Sequence, residues 1–385
     1  FEDDACFFDV EAKLREELDR QGALAQVKPG DSVGIAVGSR GIDQIGVVVK
    51  TLAEAIRKRG AYPEVFAAMG SHGGTEAGQL EVLKGLGISP EALGIPVKAS
   101  LDCELIADVA GLSGWYCLNG LPSLPGLPDE PRLLGPTDLP GLRVYVNCLA
   151  LSFDWIVVVN RVKPHTSFSG EIESGLTKML AVGIGGPMGA RVVHSQGHEA
   201  IPGMIERIGG VLIERLPIIA GVALVEDKRH RVRTIRVCKK EEFLEVDKSL
   251  LVEARKYLPV LPFEELDLLV VNKMGKCFSG TGMDTNVIGR VGIRGVPDKG
   301  MKVSCIVVLD LAEESQGNAN GIGLADITTE RLIKKIDYAA TLKNVLTTSF
   351  LDRAKLPVVL SSDREAIETA VELGSRSRGS FPVEL

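Results

Sequence analysis

The sequence predicts two α/β domains with largely parallel sheets and a cleft between them, on three observations. Short β-rich runs alternate with helix-period segments in βαβα order, the pattern of a parallel sheet with crossover helices. The length of 385 residues exceeds what one domain ordinarily holds. Pro259 and Pro262 bracket a break between two such alternating stretches, which divides the chain into domains 1–260 and 261–385.

The elements follow in order. Residues 32–39 (SVGIAVGS) form an apolar run suited to a buried strand, 42–59 carry helical periodicity, 63–69 read as a strand and 76–86 as a helix. Pro122, Pro125, Pro128, Pro131, Pro136 and Pro140 crowd the next stretch. Each proline fixes φ and removes a donor, so this is a surface excursion. Strands resume at 142–146 and 155–161 (WIVVVNR), with helices over 175–184 and 191–208, strands at 218–225 and 231–238, and an amphipathic helix over 241–257. In the second domain a strand at 266–272 leads into a glycine-rich loop reaching Gly300, followed by a strand at 303–310. Helices over 326–346 and 364–373 flank a short strand at 356–360. No fixed-period repeat and no low-complexity tract interrupts this order.

Composition narrows the function. A net charge of −7 without a dense basic run argues against a general grip on nucleic acid. The longest apolar run, 216–225, is about half a membrane span, and no signal-peptide pattern opens the chain, so no membrane partner is expected. The seven cysteines (Cys6, Cys103, Cys117, Cys148, Cys238, Cys277, Cys305) are scattered and contain no C-x-x-C pair. A reducing, cytoplasmic setting without iron–sulfur or structural zinc sites follows. There is no P-loop and no G-x-S-x-G elbow, and the glycines of 183–189 (GIGGPMG) follow a helical segment where a dinucleotide fingerprint would follow a strand.

Chemistry gathers just past strand ends, where open α/β sheets collect ligands. Ser39 and Arg40 follow the first strand, His72 follows the second within MGSHGGT, and His165 follows a third within NRVKPHTSFSG. A histidine titrates near neutrality and suits proton transfer, although a turn can also merely tolerate one. Lys178 lies among Leu176, Met179, Leu180 and Val182. Facing water it would be an ordinary surface lysine; desolvated, it loses its proton more easily and becomes a nucleophile. His194 and His198 stand at i and i+4, so a continuous helix would put both on one side for a shared metal ion, though the glutamate of a zinc-protease motif is missing. The loop 273–290 holds Lys276, Asp284 and Arg290.

With these residues in order, the sequence resembles the nickel-dependent lactate racemase family over residues 31–290. GSHGGT resembles that family's strand-end histidine motif, KPHTSFSG its second histidine, GLTKMLAVGIGG its cofactor-lysine segment and VVHSQG its metal histidine, sixteen residues beyond Lys178. The resemblance implies a nickel-pincer nucleotide, a pyridinium mononucleotide whose sulfur and carbon donors hold nickel, attached covalently through Lys178 and completed by His194. It further implies His72 and His165 as alternate acid/bases on a 2-hydroxy acid, hydride passing reversibly to the cofactor, and Arg40 as the clamp on the substrate carboxylate. Ser71, Gly73, Gly74, Thr75, Ser174 and Gly175 are the expected surroundings of the nucleotide phosphate. On this resemblance 1–260 is the cofactor-binding domain and 261–385 completes an interdomain active-site cleft, with Lys276, Arg290 or Arg294 available to a second anionic group. The expected activity is a racemase or epimerase, an isomerase. The alternatives are a 2-hydroxy-acid oxidoreductase and a non-catalytic cofactor or ligand carrier of the same fold. The implied partners are the small hydroxy-acid substrate and the enzymes that make the cofactor, with a homo-oligomer left open.

Overall fold

The computed structural model describes residues 9–109, 142–195, 197–348 and 350–377. The proline-rich stretch, Cys6 and Cys117 lie outside the described residues. The chain divides into two compact α/β units: the first takes the described residues up to Lys163 together with Gly170–Ala254, and the second takes Pro164–Ser169 with the described part of Arg255–Leu385.

In the first unit the strands are β1 (Ser32–Val37), β2 (Tyr62–Ala67), β3 (Val97–Lys98), β4 (Cys103–Val109), β5 (Leu142–Asn147), β6 (Trp155–Arg161), β7 (Ile218–Glu226) and β8 (Val232–Cys238). Six of them form a sheet in the order β3-β2-β1-β6-β7-β8, all parallel except β8, while β4 and β5 pair antiparallel apart from it. β1 and β6 are apolar runs because a central parallel strand is covered on both faces; Val33, Ile35, Ile156 and Val157 are fully buried.

The helices are α1 (Val10–Gln21), α2 (Ile45–Lys58), α3 (Glu76–Gly85), α4 (Pro90–Leu93), α5 (Leu176–Lys178), α6 (Gly186–Ser195), α7 (Ile201–Arg215) and α8 (Phe243–Lys256). Helix α2 buries Ile45, Val48, Val49, Leu52 and Ile56, an i, i+3, i+4, i+7 stripe. That stripe joins Leu14 and Leu18 of α1 and the sheet residues Val65, Val157, Val222 and Val237 in one core.

Two helices depart from the sequence-based expectation. The predicted helix over 191–208 is two helices, α6 and α7, separated at Gly197, whose φ of +82° suits glycine and stops a helix. His194 and His198 are therefore not neighbours on one continuous helix. The helix expected over 175–184 begins as α5 and continues as a π-helical turn, Met179–Ile184.

In the second unit β9 (Glu265–Met274), β10 (Lys302–Leu311), β11 (Ile327–Thr329) and β12 (Val358–Leu360) form an all-parallel sheet in the order β12-β11-β10-β9. Its helices are α9 (Thr285–Ile288), α10 (Glu330–Lys334), α11 (Tyr338–Thr348) and α12 (Asp363–Ser377). Ala366 and Ala370 of α12 cover one face through Val307, Leu309 and Ile327, while Met274, Ile306, Val308 and Leu332 build a core on the other. The helix expected over 326–346 opens instead as β11, then breaks into α10 and α11. Among the described residues no helix is long and apolar enough to cross a membrane. Cys103, Cys148, Cys238, Cys277 and Cys305 are free thiols.

Candidate active site

The carboxyl ends of β1, β2, β6 and β7 lie along one edge of the first sheet, and the strand order reverses between β1 and β6. That reversal is the switch point at which such sheets bind ligands. β1 brings Ser39 and Arg40 to this edge, and β2 brings His72. The Nδ1 atom of His72 lies 2.6 Å from Ser39 Oγ. When Nδ1–H donates to that hydroxyl, the neutral ring carries its other lone pair on Nε2, the arrangement of a base.

The His72 loop is held from beneath by Gln79. This side chain is 1% exposed, and its Nε2 donates to the carbonyls of Gly70 at 3.2 Å and His72 at 3.1 Å. Thr75 caps α3, its Oγ1 accepting from Gly78 N–H, and the Gly74 N–H donates to Ser71 O. The Gly70 N–H donates to Gly183 O at 3.3 Å, which ties the loop to the π-helical turn after Lys178.

Lys178 ends α5. Its Nζ donates to Glu173 O at 3.1 Å. Burial, the Arg40 charge and Lys163 push its ammonium down to about 7, against an opposing pull from Glu173. An amine that is half neutral near pH 7 can act as a nucleophile there. His194, on α6, is pushed down to about 4, first by burial and then by the charge of Lys178, so its imidazole is neutral at physiological pH. Arg40 keeps solvent access at its side chain, yet burial and the like charge of Arg161 lower its guanidinium from the ordinary value. Arg161 itself pairs with Glu226 of β7. Arg40, His72, Lys178 and His194 thus belong to one unit; charge couples Arg40 to Lys178 and Lys178 to His194, and His72 bonds Ser39 beside Arg40.

His165 belongs to the second unit. Its Nδ1 accepts from Ser167 N–H at 3.1 Å, which makes the neutral ring the Nε2–H tautomer, and the ring stacks on Phe168 with centroids 4.0 Å apart. Three side chains hold this short segment. Thr285 Oγ1 donates to Thr166 O at 2.6 Å, Asn286 Nδ2 reaches His165 O at 3.5 Å, and Arg353 donates to Ser167 Oγ at 2.7 Å and Thr166 O at 3.2 Å.

Other residues singled out from sequence have local tasks. Ser174 Oγ accepts from Lys163 N–H and donates to Lys163 O, both at 2.6 Å, pinning the chain to itself. Gly175 O accepts from Asn160 Nδ2 at 2.7 Å. Arg290 donates to Leu324 O and Val303 O and pairs with Asp326 at 2.7 Å, so it braces the second sheet. Asp284 caps α9, Lys276 bonds Asn344, and Arg294 is largely exposed, 4.0 Å from Asp352. The His198 side chain lies outside the described residues. Sequence reasoning did not find Gln79, Asp247 or Arg353. The signal available for Asp247 was a single acid on the buried stripe of α8, among Phe243, Val246, Leu250 and Leu251.

Among the described residues no group of three or more His, Cys, Asp or Glu is placed to hold a metal ion. No family model and no curated protein matches the chain. By architecture it is an α/β protein of mainly parallel sheets with a strand-end site at a switch point. The solved structure of the lactate racemase apoprotein from Thermoanaerobacterium thermosaccharolyticum shares that fold, with a TM-score of 0.57 over 95% of this chain and 88% of that chain at 13% identity. Likeness at this identity is one of fold, so function has to be argued from the side chains.

Proposed function

We propose that this protein is a racemase or epimerase of a 2-hydroxy acid that carries a nickel-pincer nucleotide on Lys178. The observation that carries the proposal is the lysine itself: a half-buried amine held near pH 7 beside the switch point, within electrostatic reach of Arg40 and His194. A metal held by protein donors alone would need a cluster that the described residues do not contain. A metal brought by a cofactor with its own sulfur and carbon donors needs less from the protein: an attachment point and a neutral imidazole. Lys178 and His194 fit those two requirements. When bound, such a group supplies a reversible hydride acceptor for the hydroxyl-bearing carbon.

The remaining chemistry falls to the chain. Arg40 offers a planar fork that binds a carboxylate through two parallel hydrogen bonds and so orients the carbon beside it. His72, oriented by Ser39, takes the hydroxyl proton. His165 returns a proton on the opposite face from its imidazolium form, in which Nδ1 has taken a proton and let go of the Ser167 N–H and Nε2–H faces the substrate, and the two exchange roles in the reverse direction.

The test is to co-produce the chain with cofactor-making enzymes and to measure intact mass, nickel content and turnover of one enantiomer of a 2-hydroxy acid deuterated at its hydroxyl-bearing carbon. A mononucleotide-sized mass increment, about one nickel, and appearance of the other enantiomer with its deuterium retained are expected. His72→Ala and His165→Ala should each keep the increment and lose roughly 10²–10⁴-fold in rate. Release of a keto acid without inversion would make the protein an oxidoreductase. Loss of deuterium to water would mean direct carbon deprotonation, and absence of both increment and nickel would leave a carrier or sensor.

A further inference from the structure

We propose that Asp247 is the positioning residue for Lys178: its carboxylate, projecting from α8, grips the first two amides of α5 and so sets where the lysine stands. This rests on Lys178 being the attachment point described above.

Four observations support the assignment. Asp247 is 1% exposed, and its two oxygens accept separately from the N–H groups of Leu176 and Thr177, each at 2.8 Å. The cap comes from about seventy residues further along the chain, whereas Asp9, Thr75 and Ser89 cap their own helices from adjacent positions. Gly175, with φ of +97°, lies against the same carboxylate; a Cβ there would stand 2.1 Å from Asp247 Oδ1. Gly221 of β7 is also without a side chain where one would strike Leu176 and Phe243 at 2.5 Å, so α5 and the start of α8 seat directly on the sheet.

Among the described residues no basic side chain pairs with Asp247. A buried carboxylate without a counter-ion is a costly way to satisfy two amides that a neutral hydroxyl could partly serve. Burial pushes Asp247 up to about 7 even though both amides favour its charged form. What the carboxylate provides is two-point fixation: with the Leu176 and Thr177 amides held, the two peptide planes leading from Gly175 to Thr177 are set, and with them the start of the turn from which Lys178 projects.

The experiment follows the pH dependence of Lys178 acylation by acetic anhydride in cofactor-free protein, read by peptide mass spectrometry. In wild type the rate should rise with a midpoint near 7, while exposed lysines follow the ordinary value of 10.5. Asp247→Asn keeps one acceptor but sets an NH₂ against the other amide. Lys178 should then move toward water, raising its midpoint by at least one pH unit and slowing acylation at pH 7 by about five-fold or more relative to wild type. Loss of a neighbouring negative charge by itself would lower a lysine midpoint, so the direction of the change separates positioning from charge. Gly175→Ala, which displaces the carboxylate while leaving it in the chain, should move the midpoint the same way and decides the matter if Asp247→Asn does not fold. An unchanged or lowered midpoint in the folded variants overturns the role of Asp247. A wild-type midpoint near 10.5 overturns the assignment of Lys178 itself.

Discussion

Replacing Lys178 with methionine should flatten the pH dependence of stability and, on the proposed function, also abolish covalent retention of a cofactor. The first effect needs no cofactor. The folded-state value near 7 lies below the unfolded value of 10.5, so between those limits the unfolded chain binds more protons than the folded one. Wild-type stability should therefore rise as pH increases from about 7 toward 10.5, and the burial penalty should be fully present below 7. A tenfold change in proton affinity between the folded and unfolded chains corresponds to about 1.4 kcal/mol, which sets a ceiling of roughly 5 kcal/mol. The partial solvent access of Lys178 reduces the expected gain to about 2–3 kcal/mol. Denaturant midpoints at pH 7 and pH 10, compared between wild type and Lys178→Met, measure it. Parallel slopes in the two proteins would place the amine in water and remove the basis for its reactivity.

Whether an element was legible in the sequence depended on how its burial is arranged. β6 was readable to the residue because a strand covered on both faces is an unbroken apolar run bounded by polar residues. β11 was not. It is three residues long, and two of them are threonines whose hydroxyls bond Val308 O and Leu309 O, so it carries neither an apolar run nor alternation. Helices α6 and α7 merged in the sequence because apolar spacing continues across Gly197, whose backbone conformation interrupts the helix without disturbing composition. In the candidate site, His72 and Lys178 stand out in the sequence because strand ends and an apolar neighbourhood are sequence features. Gln79, Asp247 and Arg353 do not, because each acts through contacts with backbone groups that only the tertiary fold brings to it. Gln79 and Asp247 sit on helix faces that are otherwise apolar, and a polar residue on such a stripe is the trace they leave. The same dependence on tertiary contacts explains why His165 falls with residues 255–385 although it follows a strand of the first unit: Asn286 bonds its carbonyl, and Thr285 and Arg353 bond the neighbouring Thr166 and Ser167.

Arg353→Leu should be among the most destabilising substitutions in the second unit, at about 3–5 kcal/mol. The guanidinium is 2% exposed, and it donates to Val291 O at 3.1 and 2.8 Å, to Ser167 Oγ and to Thr166 O, with its carbon lying over the Phe350 ring at 4.9 Å. Burial lowers it to about 10, so it remains charged at neutral pH and its charge is met by carbonyl and hydroxyl dipoles. Leucine would fill part of the volume but leave Val291 O and Ser167 Oγ buried without their donor, at about 1–3 kcal/mol each, while Thr166 O keeps its bond from Thr285. Arg353→Lys separates charge from geometry: an ammonium keeps the charge but cannot span acceptors that a planar fork reaches together, and should cost about half as much. Both substitutions release the carbonyl and hydroxyl on either side of the Ser167 N–H that fixes the His165 tautomer. Long-range ¹H–¹⁵N spectra of the imidazole should therefore show the Nε2–H form in wild type and a mixture of tautomers in Arg353→Lys. Urea midpoints supply the stability arm. A wild-type tautomer pattern together with a stability loss below about 0.5 kcal/mol in Arg353→Lys would show that the His165 segment holds its own conformation, with Thr285 and Asn286 as sufficient support.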